Sequence, residues 1–365
     1  MKKTLLATAI AGALGVSAAA QAATVYSQDG TEVDVYGRIV YGLTTGGQET
    51  GGVKENGSEL EDLGSRLGFR ARHEVNSDLS VFARMEFRFD ASQRNEDAFS
   101  NTRSTYLGLQ SQQFGRVMVG NFNSMYYDHV GVVFDVPENL GWESLGGTSN
   151  SSFGNSIAYS TPVLEGFQAH VQAKHYTGND QVQGTDQTDS TTSMQAVVNY
   201  TWQDLYVAAG YDQNKDFGER NRGEGFSSFG ESANSDEAIW GMVASYQFTP
   251  QFSGRIGYET TSTNDEEFAN TGNAQYIGSD IASIGATFDY GMGEIYGQYA
   301  RVSFDDNDDT GNIDSSNRWM LGANYRFSQP MYVFAEVYDS DFDTDQTISD
   351  ANDDLLYTLG VRYDF

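Results

Sequence analysis

The chain has 365 residues and a formal net charge of −30, which argues against nucleic acid as a partner because contacts to phosphates need basic surface. It contains no cysteine, so disulfides, thiolate metal ligands and cysteine catalysis are excluded. Its 40 glycines, 22 tyrosines and 22 phenylalanines, beside only four prolines, favour a protein built of strands and turns.

The N-terminus has the three-part layout of a cleavable secretory signal. Lys2 and Lys3 precede an apolar stretch from Leu5 to Val16, and small residues follow it. That stretch is shorter than the about 20 residues of a membrane-spanning helix, although an uncleaved anchor is the alternative. We therefore expect removal of residues 1–22 and a single domain over residues 23–365.

Sixteen later segments alternate between apolar and polar side chains, and no later apolar run is long enough for a spanning helix. Such alternation places one face of each strand in lipid and the other in a wet lumen, so we predict an all-β transmembrane antiparallel barrel. A barrel of about sixteen strands leaves an aqueous channel along its axis. The predicted strands begin near Val33, Ser65, Ser80, Thr102, Gly115, Asn155, Phe167, Ser193, Leu205, Glu237, Phe252, Asp280, Glu294, Asn317, Met331 and Leu355.

Short and long connections alternate between these segments, which places the short turns and both termini on the periplasmic side. The predicted tight turns are Asn76–Asp78, Glu165–Gly166, Gln203–Asp204, Pro250–Gln251 and Gln329–Pro330. The long polar stretches, predicted as extracellular loops, include 46–64, 177–192, 216–236 and 305–316. A soluble β-sandwich or propeller is the alternative, but neither predicts this strict alternation.

Several stretches resemble the general diffusion porins of Gram-negative bacteria, which are trimeric sixteen-stranded outer-membrane barrels. The matching stretches are Val33–Arg38, Ser65–Arg70, Asn76–Leu79, Thr102–Arg103, Leu107–Leu109 and Gly360–Phe365. The resemblance covers essentially the whole chain after the signal. It implies a homotrimer in contact with lipopolysaccharide and outer-membrane lipid, and a C-terminal signal, Tyr363 and Phe365, that is read by the barrel-assembly machinery.

The resemblance further implies that a long third extracellular loop, from Tyr126 to Gly154, folds into the barrel and narrows it. On this basis Asp135 and Glu138 would form the acidic side of a constriction. Its basic side would consist of Arg38, Arg66 and Arg103. The sequence departs from the family at Asn101 and Asn121, where the family carries basic side chains.

Arginines are concentrated in the first four predicted strands, at a single parity wherever a strand holds more than one. They are Arg38, Arg66, Arg70, Arg72, Arg84, Arg88 and Arg103. We predict that they line one wall of the lumen. The facing carboxylates would be Asp135, Glu138, Asp128 and Glu143. Guanidinium groups opposite carboxylates would create a transverse field that favours small polar solutes. The alternative is that the arginines pair with Glu86 and neighbouring carboxylates and only fill the lumen.

The remaining acidic residues predict a weak preference for cations, because carboxylates at a channel mouth concentrate them. The run Asp305–Asp309 lacks the glycine and the final glutamate of a calcium-binding loop, which favours a solvated acidic loop, with divalent ions that bridge it to lipopolysaccharide as the alternative. We expect neither a protein metal site nor another cofactor. The four histidines have no metal-ligand spacing, and no nucleophile elbow occurs. We therefore predict a channel that is not an enzyme, with small hydrophilic solutes and ions as its cargo.

Three other functions stay open at this point. A sugar-selective porin would need an aromatic ladder in the lumen, for which Tyr36, Tyr332, Phe334 and Tyr338 have the right parity. An adhesin or receptor would use the long loops. A barrel phospholipase would need a serine and a histidine on one outward face, and that pair is not evident in the sequence.

Overall fold

A computed structural model of the chain describes residues 22–50, 53–92, 99, 101–141, 145, 153–176, 191–213, 238–261, 279–304, 313–344 and 355–365. These ranges contain strands β1 to β18, one short α-helix and one 3-10 turn. The strands are Ala23–Gln28, Thr31–Thr50, Val53–Asp62, Arg66–Glu74, Leu79–Arg88, Asn101–Ser111, Gly115–Phe122, Phe153–Ser160, Phe167–Tyr176, Thr191–Trp202, Leu205–Asp212, Ile239–Thr249, Phe252–Thr261, Ser279–Asp289, Glu294–Phe304, Ile313–Ser328, Met331–Thr344 and Leu356–Asp364. The helix α1 is Met125–His129, and the 3-10 turn is Gly131–Val133.

The strands form one closed antiparallel barrel. The long strand β2 pairs with β3 along its second half and with β4 along its first half, so β3 and β4 together occupy one place in the barrel wall. A turn at Gly64 interrupts the extended conformation between β3 and β4. The φ angle of Gly64 is +105°, and Asp62 Oδ1 accepts the amide N–H groups of Gly64 and Ser65. Strand β18 pairs with β2 and closes the ring. The predicted sixteen-stranded barrel is thereby confirmed.

The seam between the two ends of the chain carries an additional short strand. Strand β1 pairs with Thr31–Val35 of β2. The same edge of β2 pairs with β18 over Arg38–Thr45. Beside it, the backbone groups of Gly37 and Phe365 exchange two hydrogen bonds, of 2.7 and 3.0 Å. The edge of β2 is therefore paired along most of its length, as a barrel in lipid requires.

The two faces of the barrel follow the predicted alternation. Leu359, Leu321 and Ile284 face outward with more than half of their surface exposed, whereas the adjacent residues Thr358 and Ser283 face inward and are buried. Aromatic rings gather near the short turns, for example Tyr246, Phe248 and Phe252. An apolar outer surface with aromatic ends is the surface that a membrane barrel presents to lipid. Among the described residues, no helix combines the length and apolar composition needed to cross a membrane.

Most predicted boundaries agree with the structure, and one predicted loop is wrong. The predicted strand starts lie within two residues of the observed ones except for β16, which begins at Ile313 and not near Asn317. The stretch 46–64, predicted as a polar loop, is mostly a β-hairpin that extends β2 and β3 beyond their neighbours. The other long stretches lie largely outside the described residues, as does the predicted signal peptide except for Ala22.

The seam makes a prediction about Gly37. A Cβ atom at this position would meet the ring of Phe365 and come within 2.8 Å of the backbone oxygen of Arg66. We expect Gly37→Leu to lower the free energy of unfolding by about 1–3 kcal/mol, because the added side chain has no room. Unfolding temperatures on semi-native gels measure this loss. The control is Gly57→Leu, where no atom lies within 4 Å of an added Cβ; equal losses in both variants would contradict the packing at the seam.

Candidate functional site

The chain that follows β7 lies inside the barrel. Ser124 begins α1 by accepting the amide N–H of Tyr127. Tyr126, Val130 and Phe134 are fully buried, and they share a hydrophobic cluster with residues on the inner side of β10 to β15. The inner-wall members of the cluster include Val197, Ala208, Ile239, Val243, Ile281 and Ala300. This apolar contact seats residues 123–141, named here the inner segment, against the wall.

Glycines on the wall make room for the large side chains of the inner segment. Gly210 and Gly241 are register partners on β11 and β12, and a Cβ at either position would collide with Tyr126. Gly257 on β13 leaves space in the same way for Phe134. The rings therefore pack close to the backbone of the barrel, and the inner segment takes up less of the lumen.

Polar contacts fix the path of the inner segment across the wall. Gln172 on β9 accepts the amide N–H of Met125 at 2.8 Å. The Tyr126 hydroxyl donates to the buried carboxylate of Glu259 at 2.7 Å. Gln298 on β15 donates to the carbonyl oxygens of Phe134 and Gly141, at 3.0 and 2.6 Å. Each buried backbone group satisfied in this way lowers the cost of placing irregular chain inside the barrel.

The far end of the inner segment is attached to β17 and β18. Glu336 accepts the amide N–H groups of Glu138 and Asn139, at 2.7 and 3.1 Å. The carboxylate of Glu138 accepts hydrogen bonds from the Tyr332 hydroxyl and from Arg362, the latter at 3.0 Å. Burial raises the pKa of Glu138 to about 7, while the charge of Arg38 and the hydrogen bond from Tyr332 act in the opposite direction.

Opposite charges also meet on β4 to β6, around Glu86. Its side chain is only 1% exposed and accepts from Arg84 at 2.5 Å and from Arg103 at 2.6 Å, with Arg66 at 3.8 Å. The Tyr36 hydroxyl also donates to it, at 2.8 Å. The pairing with Glu86 that the sequence left open as an alternative is therefore present for three of the predicted arginines.

The register of the strands places the remaining predicted arginines beside this group. Arg38, Arg66 and Arg88 are successive cross-strand partners on β2, β4 and β5. Arg70 is paired in register with Arg84, and its guanidinium lies 4.7 Å from the centre of the Tyr36 ring. Together with Arg84 and Arg103, these arginines lie on one inner wall. The seventh predicted arginine, Arg72, is paired in register with Phe82, closer to the turn between β4 and β5. Arg38 is paired with Asp364 at 3.2 Å.

The predicted acidic residues fall into different environments. Asp128 and Asp135 are exposed to the lumen, where they accept hydrogen bonds from Asn123 and Tyr127. Asp128 lies close enough to Arg84 and Arg103 for their charges to act on it. Glu138 is mostly buried, and its ionic partner is Arg362. Arg362 was not among the predicted site residues, although its parity on β18 predicts a side chain that faces the lumen. Glu143 lies outside the described residues.

Two of the four histidines come together, although their sequence spacing did not predict it. His129 of α1 and His170 of β9 stack with ring centres 3.7 Å apart, and the Asn199 side chain lies 3.1 and 3.0 Å from their nitrogens. Burial lowers the pKa of His129 to about 4, which keeps His129 neutral near neutral pH. Within the described part of the chain, no group of three or more potential ligands is placed to hold a metal.

The aromatic side chains considered for a sugar ladder are engaged with their neighbours. Tyr36, Phe334 and Tyr338 are each less than a tenth exposed. The Phe334 ring lies over Gly360, and Tyr338 packs with Tyr296 and Met320. Of these four side chains, Tyr332 is the more accessible one, and its hydroxyl donates a hydrogen bond to Glu138.

Comparisons with known proteins agree with this architecture. A family model described as Gram-negative porin matches residues 7–230 and 217–365. A monosaccharide porin of a Halomonas species is 28% identical, with 94% of this chain and 96% of the relative covered. Two solved structures cover 92% of this chain and 100% of their own: an anion-selective porin from Comamonas acidovorans (TM-score 0.69, 17% identity) and the trimer form of OmpT from Vibrio cholerae (0.68, 19%).

The Glu86 cluster makes a prediction about stability. We expect Glu86→Gln to lower the free energy of unfolding by about 3 kcal/mol or more, because it leaves neighbouring arginines without their counter-charge in a buried site. The matched control is Glu294→Gln, since Glu294 pairs with Arg326 at 2.8 Å but is 32% exposed. Loss of that exposed pair should cost at most about 1 kcal/mol. Chemical denaturation of the folded barrel measures the free energy of unfolding of both variants. Equal losses in the two variants would contradict the burial of the Glu86 cluster.

Proposed function

Because the chain belongs to the Gram-negative porin family, whose members form diffusion channels in the outer membrane, we propose that it passes small hydrophilic solutes and ions through a constriction with a weak preference for cations. The constriction lies between the inner segment and the arginine-bearing wall of β2 and β4 to β6. The observation that carries this proposal is that the inner segment presents Asp128 and Asp135 to the same lumen as Arg84 and Arg103.

A transverse field supports selection by polarity. Carboxylates on the inner segment and guanidinium groups on the wall are both held by side-chain hydrogen bonds, so their positions are fixed. Ordered charges of opposite sign orient water and dipolar solutes. An apolar solute displaces this oriented water but makes no favourable electrostatic interaction in return, so its entry costs free energy. Passage is therefore favoured for small polar molecules.

The balance of exposed charge supports the preference for cations. Glu86 and Asp364 partly neutralise the wall arginines, whose side chains are 15% to 29% exposed where they pair with these carboxylates. The described hydrogen bonds of Asp128 and Asp135 are with Asn123 and Tyr127 and not with an arginine. The whole chain also carries a net charge of −30, which attracts cations toward the channel mouths.

A sugar-selective channel is the second candidate, and the name of the monosaccharide porin from Halomonas favours it. A sugar path needs accessible aromatic faces, and the burial of Tyr36, Phe334 and Tyr338 counts against a ladder among the described residues. General diffusion is therefore the better-supported function.

We further propose that the signal is cleaved before Ala23 and that the protein forms a homotrimer, as in the trimer form of OmpT. We also propose that it contacts lipopolysaccharide and that the assembly machinery recognises Tyr363 and Phe365.

The cation preference is tested with Asp135→Asn in planar bilayers under a salt gradient. A unit charge about 7 Å from a passing ion contributes roughly 0.3 kcal/mol after screening at 0.1 M salt, with opposite sign for cations and anions. We expect the cation-to-anion permeability ratio to fall roughly two- to threefold. The matched control is Glu294→Gln, which removes a negative charge close to a periplasmic turn and should leave the permeability ratio nearly unchanged. If Asp135→Asn also leaves the ratio unchanged, the narrowest point of the channel lies elsewhere.

The pH dependence of the same ratio tests Glu138. Because its pKa is about 7, Glu138 is charged at pH 8.5 and protonated at pH 5.5. We expect the preference for cations to fall as the pH falls through this window, and Glu138→Gln to remove most of that dependence. His129 does not contribute, because its pKa of about 4 keeps it neutral throughout. A wild-type ratio that is flat between these pH values would contradict the burial of Glu138.

A further inference from the structure

The outer wall of the barrel has an apolar depression over β10 to β13. Its volume is about 460 Å³. The outward side chains around it are Phe167, Val198, Tyr200, Val207, Ala209, Met242, Ala244, Ile256 and Tyr258. They belong to the lipid-facing set of the barrel, so the depression opens to the membrane and not to the lumen.

Small side chains form its floor. Val207 and Ala209 on β11, with Ala244 on β12, lie between larger neighbours on both sides. In the register of the strands, Val207 stands beside Tyr200 and Ala244, and Ala244 stands beside Ile256. The floor therefore runs along β11 as a groove between two raised edges.

The two ends of the groove differ in the size of the side chains that close them. Toward the extracellular side the outward position of β11 is Tyr211, whose ring packs on Trp240 with centres 4.6 Å apart, and this pair blocks the groove. Toward the periplasmic side the next outward position is the smaller Leu205. A chain lying in the groove would therefore enter from the periplasmic leaflet.

The charge at the periplasmic end restricts the headgroup. The turns beside this end carry Glu165 and Asp204, and the stretches 161–167, 201–205 and 249–252 contain no lysine or arginine. Carboxylates attract an ammonium group and repel a lipid whose headgroup is anionic. A second copy of this chain fits less well, because a stable interface takes about 20–30 residues on each side and the depression has nine outward ones.

We propose that this depression binds one acyl chain of a phospholipid with an ethanolamine headgroup, taken from the periplasmic leaflet. The apolar floor buries the chain, and the turns at the periplasmic end carry Glu165 and Asp204, whose negative charges attract the ammonium group. The proposal is independent of ion selectivity, since the side chains involved point away from the lumen.

The test is native mass spectrometry of the intact protein after incubation with palmitoyl-oleoyl phosphatidylethanolamine. We expect one retained lipid for each barrel. Ala209→Phe fills the floor and should reduce retention about tenfold, the loss expected when two or more methylene groups can no longer be buried. The matched control is Ala323→Phe, an exposed outward position on β16 outside the depression, which should retain the lipid.

Three results would overturn the proposal. Equal retention in Ala209→Phe and in the wild type would show that the groove holds no lipid. Preferential retention of lipid A in a mixture would show that the headgroup or leaflet is wrong. A changed number of copies in Ala209→Phe with unchanged lipid retention would make the groove a contact between copies. Unchanged single-channel conductance of Ala209→Phe verifies that the barrel is folded and keeps this test separate from that of the selectivity.

Discussion

The pairing of every strand edge is the constraint on which the rest of this structure depends. In hydrocarbon an unpaired backbone group has no water to bond, so a sheet is stable only when it closes on itself. Closure here occurs between β18 and β2, and β1 extends it to the periplasmic end of the seam. The exchange of two backbone hydrogen bonds between Gly37 and Phe365 shows why a residue without a side chain stands opposite a terminal aromatic ring.

Closure fixes what the interior must contain. Sixteen strands enclose more space than side chains alone can fill, and the inner segment occupies part of it. That segment is irregular chain, so its backbone groups need partners, and Gln172, Gln298 and Glu336 provide them from three separate strands. These hydrogen bonds fix the path of the inner segment and therefore where its acidic side chains lie, so the charge pattern of the passage depends on the wall as much as on the inner segment.

The sequence allowed the barrel to be predicted in detail because alternation is local. A period of two can be read within ten residues, and the predicted strand starts agree with the structure for nearly every strand. The hairpin of β2 and β3 was missed because residues such as Gly46 and Gly57 interrupt the alternation of apolar and polar residues in its sequence. The pairs Glu138 with Arg362 and His129 with His170 could not be predicted either. Each depends on where the inner segment runs, which no local period encodes.

Small residues serve different purposes on the two faces of the same strands. On β11 and β12 the inward glycines Gly210 and Gly241 accommodate the ring of Tyr126, while the outward alanines Ala209 and Ala244 form the floor of the groove. The wall is therefore thin at this place, with a large side chain packed against it from inside. Because successive side chains point to opposite faces, a change at an outward alanine leaves the inner packing surface as it was. The strands that seat the inner segment can thus carry an independent site toward the lipid.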